Sequence, residues 1–372
     1  MQTTANAASD LIRRNLEYMK IAVQLFTLLF LISPCAFGES ETSPTSTFTI
    51  AFGSCGHQGH PLPIFDDVVK HRPDVFLFLG DNIYGDTKDM DVLHQKYQQL
   101  GSKPSYQNLK RHTDILATWD DHDYGQNDAG KHYPHKDASK KIFLEFFEEP
   151  KDSARYQHEG IYHSVYRSVG EKTVQIILLD GRTFRDDLVR MKTQAKRPRR
   201  FFYNLDYAPQ TNQSATLLGE AQWAWLEDEL SKPADCRILA SGTQFGIDYN
   251  GYEAWANFPH EQERLIQLIR KTRAEHLVVL SGDVHYGEIS KLEPKGCYPL
   301  YDITSSGLSS TWHFATPNRN RVEGPIMENH FGLLTINFSH PSPSMTAEIW
   351  DIRGNQRVEY EIPFHEISFP KE

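Results

Sequence analysis

The sequence predicts a layered α/β domain with helices packed outside a largely buried sheet. Three observations predict it. Short apolar, β-prone runs alternate with segments of helical periodicity. Five of those runs stop abruptly and open into polar, mostly ligand-type side chains. The chain then closes with three strand-like runs joined by short turns.

In chain order, Met19-Lys20 precede the apolar run Ile21 to Ile32, and Ala36 and Gly38 are small residues at the spacing a signal peptidase accepts. The run is short for a bilayer span, so residues 1–38 read as a signal peptide, with a membrane anchor as the alternative. Arg13 and Arg14 belong to a long basic n-region, or else the true start is Met19. Residues 39–47 form a Ser/Thr/Pro-rich linker, and no polar break interrupts the single domain expected over residues 48–365.

Phe48 to Phe52 is the first strand, opening into Gly53-Ser54-Cys55-Gly56-His57. Asp74 to Leu79 stops at Gly80 and delivers Asp81, Asn82 and Tyr84. Ile115 to Thr118 opens into Trp119-Asp120-Asp121-His122-Asp123-Tyr124-Gly125-Gln126-Asn127-Asp128. Ile161 to Arg167 and Thr173 to Asp180 read as a hairpin about Ser168-Val169-Gly170-Glu171. Ile238 to Ser241 opens into Gly242-Thr243-Gln244-Phe245, and His276 to Ser281 into Gly282-Asp283-Val284-His285. Phe331 to Phe338, Met345 to Asp351 and Arg357 to Ile362 suggest a closing meander.

Helical periodicity marks Asp66 to His71, Asp91 to Leu100, Lys136 to Phe147, Leu217 to Leu230 and His260 to Lys271. The long stretch Arg185 to Thr216 carries Lys192, Lys196, Arg197, Arg199 and Arg200 before Phe201-Phe202-Tyr203. It is a solvated loop, or a basic, aromatic rim that draws in phosphorylated substrate.

Composition narrows the function. With 372 residues, 39% hydrophobic and 24% charged, the chain has the make-up of an ordinary globular protein. A formal charge of −10 argues against a general nucleic-acid or anionic-membrane binder. Cleavage near Gly38 would leave Cys55, Cys236 and Cys297, so at most one disulfide forms. Cys55, in a Gly-flanked turn at a strand end, has the setting of a metal-bound thiolate.

One Asp or His after a strand is ordinarily a turn former or helix cap. Five such ends are different. Neighbouring strands would gather Asp81, Asp121, Asn127, Asp283, His122, His285, Cys55 and Tyr84, more donors than one ion can use. A centre of more than one metal follows, and such a centre suits phosphoester hydrolysis. One ion brings the pKa of a bound water from about 16 towards 7 while another polarises the phosphoryl oxygens.

Taken in order, Gly-Ser-Cys, Gly-Asp-Asn-Ile-Tyr-Gly-Asp, Trp-Asp-Asp-His-Asp, Leu-Leu-Asp-x-Arg and Ser-Gly-Asp-Val-His resemble the alkaline phosphatase D (PhoD-like) branch of the calcineurin-like metallophosphoesterases. The resemblance spans roughly Phe48 to Ile362. It implies a two-layer mixed β-sandwich flanked by helices (αββα) and an exported alkaline phosphatase or phosphodiesterase acting on small phosphate monoesters or diesters. It also implies Fe(III) held by Cys55, Asp81 and Tyr84, with Asp283 or His285 completing the shell. Asp81 would bridge to one or two Ca(II) ions held by Asp121, Asn127 and His285; Mn, Zn or Mg are alternatives. His122 takes the place of the histidine that meets the substrate phosphate or leaving group. Arg182 matches an arginine near the site and would clamp phosphate, although Gly181 departs from the usual threonine.

Two rival readings are open. Cys55 with His57 or His122 would make a cysteine hydrolase, which leaves the carboxylates without a task. An exported calcium-dependent binding protein would use the Asp-rich turns structurally, but thiolate and phenolate are poor calcium ligands. Gln244 would touch the metals or simply turn the chain, His57, His60, His132 and His135 would line the cleft, and Trp119, Trp223, Trp225 and Trp255 read as packing aromatics.

Overall fold

The computed structural model describes residues 46–191, 206–249, 251–339 and 341–370. The expected signal peptide and most of the linker lie outside the described residues, as does the basic, aromatic stretch from Lys192 to Tyr203. Among the described residues no helix is long and apolar enough to cross a membrane.

The first half runs β1 (Thr47–Gly53), α1 (Ile64–Lys70), β2 (Val75–Leu79), α2 (Met90–Gly101), α3 (Pro104–His112), β3 (Asp114–Thr118), α4 (Asp121–Tyr124) and α5 (Lys136–Phe146). Next come the antiparallel hairpin β4 (His163–Val169) and β5 (Lys172–Leu178), a short pair β6 (Val189–Arg190) and β7 (Tyr207–Ala208), and α6 (Gly219–Ser231). The chain continues through β8 (Cys236–Ser241), α7 (Pro259–Thr272), β9 (Leu277–Ser281), β10 (Gly287–Leu292), β11 (Leu300–Ser305) and β12 (Arg321–Ile326). It ends in β13 (His330–Asn337), β14 (Ser344–Asp351) and β15 (Gln356–Pro363).

These strands form two mixed sheets, ordered β15-β14-β13-β1-β2-β3 and β12-β10-β11-β9-β8-β5-β4. Alternation along β2 shows how they stack. Val75, Leu77 and Leu79 join the core shared with the second sheet, while Phe76 and Phe78 pack with Phe65 of α1, Leu93 of α2 and Leu109 of α3. On the second sheet, the amide of Gln175 in β5 donates to the Glu229 carbonyl of α6 at 3.1 Å, which places that helix over the outer face. The two-layer sandwich with helices outside is therefore present, and the meander β13-β14-β15 closes the first sheet as expected.

Several elements were not foreseen. α3 has a polar sequence that buries only Tyr106 and Leu109, so its periodicity is faint. β10 and β11 carry Glu288 and Asp302, charged residues that speak against buried strands. Both are fully buried here because the fold supplies partners: Arg321, Gln244 and Asn318 for Glu288, and Ser281 with two backbone N–H groups for Asp302. β12 is an edge strand interrupted by Gly324-Pro325, which a sequence pattern reads as loop. The loop from Arg185 to Thr216 has paired legs, with β6 on β7 and Asp186 and Thr216 exchanging hydrogen bonds.

Candidate metal centre

Strands β1, β2 and β3 run parallel in one sheet, as do β5, β8, β9 and β11 in the other. The loops after β1, β2, β3 and β9 bring Cys55, Asp81, Tyr84, Asp120, Asp121, His122, Asp283 and His285 into one neighbourhood. The backbone bends sharply to do so. Cys55, Asp81, Asp283 and His285 have φ of 57°, 49°, 76° and 59°, a left-handed conformation that costs on the order of 1 kcal/mol or more at each non-glycine residue. Gly80, with φ of 92°, sits where a Cβ would lie 2.5 Å from the Cβ of Asp120, so glycine alone lets the ends of β2 and β3 close up.

Donor atoms converge within 4.8 Å of one another in four groups among the described residues: Cys55/Asp81/His285, Asp81/Asp121/His122, Asp81/Asp120/Asp121/Asp283 and Asp121/Asp128/Glu253. Asp81 belongs to the first three. Its Oδ2 is 3.4 Å from Cys55 Sγ, its Oδ1 is buried without a hydrogen-bond partner, and so is Asp120 Oδ2. The Tyr84 hydroxyl lies beside Cys55 and Ser310 yet also lacks a well-formed hydrogen bond.

The electrostatics of the site are those of crowded, buried acids. Burial, then the charge of Cys55 and of Asp121, Asp120 and Asp123, pushes the Asp81 carboxyl far above the usual carboxylate range. Asp283 and Asp120 are raised for the same first reason, burial, although Arg182 opposes it in both. At Cys55 burial raises the thiol, but His285 and the Ser306 hydroxyl outweigh it and bring the pKa down to about 6. A thiolate and several carboxylates buried side by side are stable only as a proton-sharing set or around cations. The orphaned oxygens and this donor set fit bound cations.

His122 occupies the single turn α4, whose entry is fixed by the Asp120 N–H donating to Asp123 Oδ1 at 2.7 Å. Its Nδ1 faces both oxygens of Asp86, at 2.8 and 2.9 Å. Burial lowers its pKa, but Asp86 and Asp121 prevail and hold it at about 9. Asn127 lies in the exposed loop after α4; its N–H donates to Asp86 Oδ1 at 3.2 Å and the residue lines a cleft of about 200 Å³ with Asp121, His122, Asp283, His285 and Trp312.

Arg182 is placed differently from the expectation of a phosphate clamp. It is fully buried, with Nη1 held 2.8 Å from each oxygen of Glu253 and Nε 2.6 Å from Asp120 Oδ1. Nε and Nη1 are thus engaged by the two carboxylates, and Nη2 is buried beside Asp120. The Gln244 amide nitrogen donates to Glu288 and Thr304 at 3.0 Å, while its Oε1 is buried without a hydrogen-bond partner. His57 and His60 stack on one another, and His57 on Tyr84, at 4.6 and 4.9 Å between ring centroids. Cys55 has no exposed surface, which tells against its use as a nucleophile, and Cys236 and Cys297 are unpaired.

Several residues of the site carry no role in the sequence reading. Asp86 and Asp120 lie inside motifs already singled out, so their carboxylates were in view. Glu253 follows no strand and had no such signal. Nor did Ser306 or His330, which act from behind the ligand loops. Asn82, delivered with Asp81 at the end of β2, ties the ends of β2 and β3 together through hydrogen bonds to Thr118 and Asp123.

Comparison with known proteins finds relatives in sequence and in fold. The chain is 26% identical over 306 residues to alkaline phosphatase D of Bacillus subtilis strain 168, covering 68% of this chain and 49% of that protein. It thus spans about half the length of the curated relative it matches. Among solved structures, that of PhoD superposes with a TM-score of 0.63 at 18% identity, covering 86% of this chain and 73% of the other. GAP50, described as the anchor in the inner membrane complex of Plasmodium, superposes at 0.51 with 12% identity, covering 88% and 90%. Both structures show the shared fold. A model of the PhoD-like phosphatase family matches residues 50–325, most of the two-sheet domain, and the chain belongs to that family.

Proposed function

We propose that the chain is a metal-dependent phosphoesterase that hydrolyses small phosphate monoesters or diesters. The observation that carries this is Asp81, a buried carboxylate common to three donor groups and missing a partner for one oxygen. Cys55, Asp81 and Tyr84, with Asp283 or His285, would hold one ion. Asp121, Asn127 and His285 would hold the others. Thiolate and phenolate together favour Fe(III) at the first position, and the oxygen-rich remainder favours Ca(II), with Mn, Zn or Mg as substitutes. Bound cations would supply charge neutralisation and a water that ionises near neutral pH.

The chain's own residues do the rest. His122, with Nδ1 turned to Asp86, keeps Nε2 for delivering a proton to the leaving oxygen. Arg182, enclosed by Asp120 and Glu253, positions carboxylates at the floor of the site. The apolar run Ile21 to Ile32 and the small residues Ala36 and Gly38 support export of the protein.

Elemental analysis of the purified protein, with phosphatase and phosphodiesterase assays on wild type and Asp81→Ala, tests the reading. Asp81→Ala should lose metal and lose more activity than the ~10–100-fold typical of a change outside the ligand shell. Full activity in a metal-free Asp81→Ala protein would sink the proposal. Calcium alone, with no visible absorption and no hydrolysis, would return the exported calcium-binding protein.

A further inference from the structure

The segment that follows β11, Ser305 to Trp312, touches both ligand-bearing loops although the sequence marks no ligand within it. On one side it grips the Cys55 loop. The N–H of Ser54 donates to the Ser305 carbonyl at 3.0 Å, that of Leu308 to Ser54 at 3.0 Å, and that of Ser309 to Cys55 at 3.1 Å. On the other side it grips His285. The Trp312 N–H donates to the His285 carbonyl at 3.0 Å, the two rings stack at 5.1 Å, and His285 Nδ1 lies 2.9 Å from the Ser310 carbonyl.

Ser306 is the buried centre of this strap, and its neighbours fix where each proton points. His330 is fully buried, with Nδ1 2.7 Å from the Glu328 carbonyl, an atom that can only accept. Nδ1 therefore carries the ring proton, and Nε2 accepts from the Ser306 N–H at 3.1 Å. Ser306 Oγ in turn accepts from the His285 N–H at 2.9 Å and lies 3.1 Å from Cys55 Sγ. A metal-bound thiolate has no proton to give, so across that 3.1 Å the hydroxyl must be the donor.

We propose that Ser306 is a positioning residue that donates a hydrogen bond to the Cys55 thiolate and so tunes it as a metal ligand. This rests on the metal-centre reading above. A hydrogen bond to a ligating sulfur withdraws electron density from it, one of the levers by which proteins set the electronics of thiolate-bound metals. Losing the bond raises the energy of the sulfur electrons, and the sulfur-to-metal charge-transfer band moves to longer wavelength.

The test uses the full chain loaded with Co(II), whose sulfur charge-transfer absorption is read directly in wild type, Ser306→Ala, Ser306→Gly and Ser306→Thr. The Ala and Gly proteins should absorb at longer wavelength, and the Thr protein, which keeps the hydroxyl, should absorb where wild type does. Should the Ala protein fail to fold, the Gly protein carries the measurement. An unmoved band in either variant overturns the inference, and so does a Thr band displaced like that of Ala. Co(II) bound to wild type without any sulfur band removes Cys55 from the ligand set, overturning this inference while sparing the metal reading. A wild type that takes up no Co(II) overturns both.

Discussion

His122, which lines the cleft, and Asp86 face one another at 2.8 Å, and neither has meaning without the other. An imidazole that must protonate a leaving group needs its second nitrogen tied down, and Asp86 does this from a loop already bent at φ 44°. His122→Ala should lower kcat by ~10²–10⁴-fold for esters with poor leaving groups, and much less for activated aryl esters that depart unprotonated. Asp86→Asn should lower kcat with little change in KM, since it alters how the ring is held rather than how phosphate binds. Steady-state kinetics on both ester types decides this; equal losses on each would remove His122 from proton delivery. At this scale the sequence was legible wherever a side chain had ligand chemistry and followed a strand, as Cys55, Asp81 and His285 did. Arg182 was legible in position only, because its burial between Asp120 and Glu253 depends on Glu253, which lies 71 residues away.

Elements at the carboxyl ends of parallel strands were readable because each apolar run breaks at a glycine or polar residue. The supports behind them were not. β10 and β11 look too polar to be buried, and the Ser305–Trp312 strap is built from serines and backbone groups that resemble any loop. His330, at the start of β13, shows what such a support demands. Its burial pushes the pKa down to about 4, against a donated bond to Glu328 that works the other way. The unfolded chain, with histidine near 6.5, binds this proton at higher pH than the native state does. Stability from neutral His330 is therefore complete above about pH 6.5 and drains away as pH falls towards 4, by roughly 3 kcal/mol at the limit. Chemical denaturation of wild type and His330→Gln between pH 4 and 7 measures it. The variant should be less stable at pH 7 but show a shallower decline, and parallel curves would mean that His330 is not held neutral.

For the molecule as a whole, two sheets bring their parallel-strand ends to one edge and concentrate carboxylates there, in a chain that already carries a net charge of −10. The fold balances part of this itself. Arg182 and Arg185 both pair with Glu253, and Arg182 with Asp120 as well. Asp81 and Asp283 have no such protein cation within an ion pair among the described residues, so their balance falls to bound cations or to shared protons. The two halves of the arrangement predict different responses to chelation. Stripping metal should lower Tm by several degrees, consistent with about 3 kcal/mol for a cation at 100 times its Kd, and readdition should restore it. Arg182→Met should cost about 3–5 kcal/mol, because it leaves Asp120 buried without its cation and Glu253 with Arg185 alone, and added metal should not repair that loss. Thermal unfolding of both proteins with and without chelator separates the cases. A wild-type Tm indifferent to chelator would mean that the Asp81 group is balanced by shared protons, and an Arg182→Met protein as stable as wild type would mean that Asp120 is neutral in the folded chain.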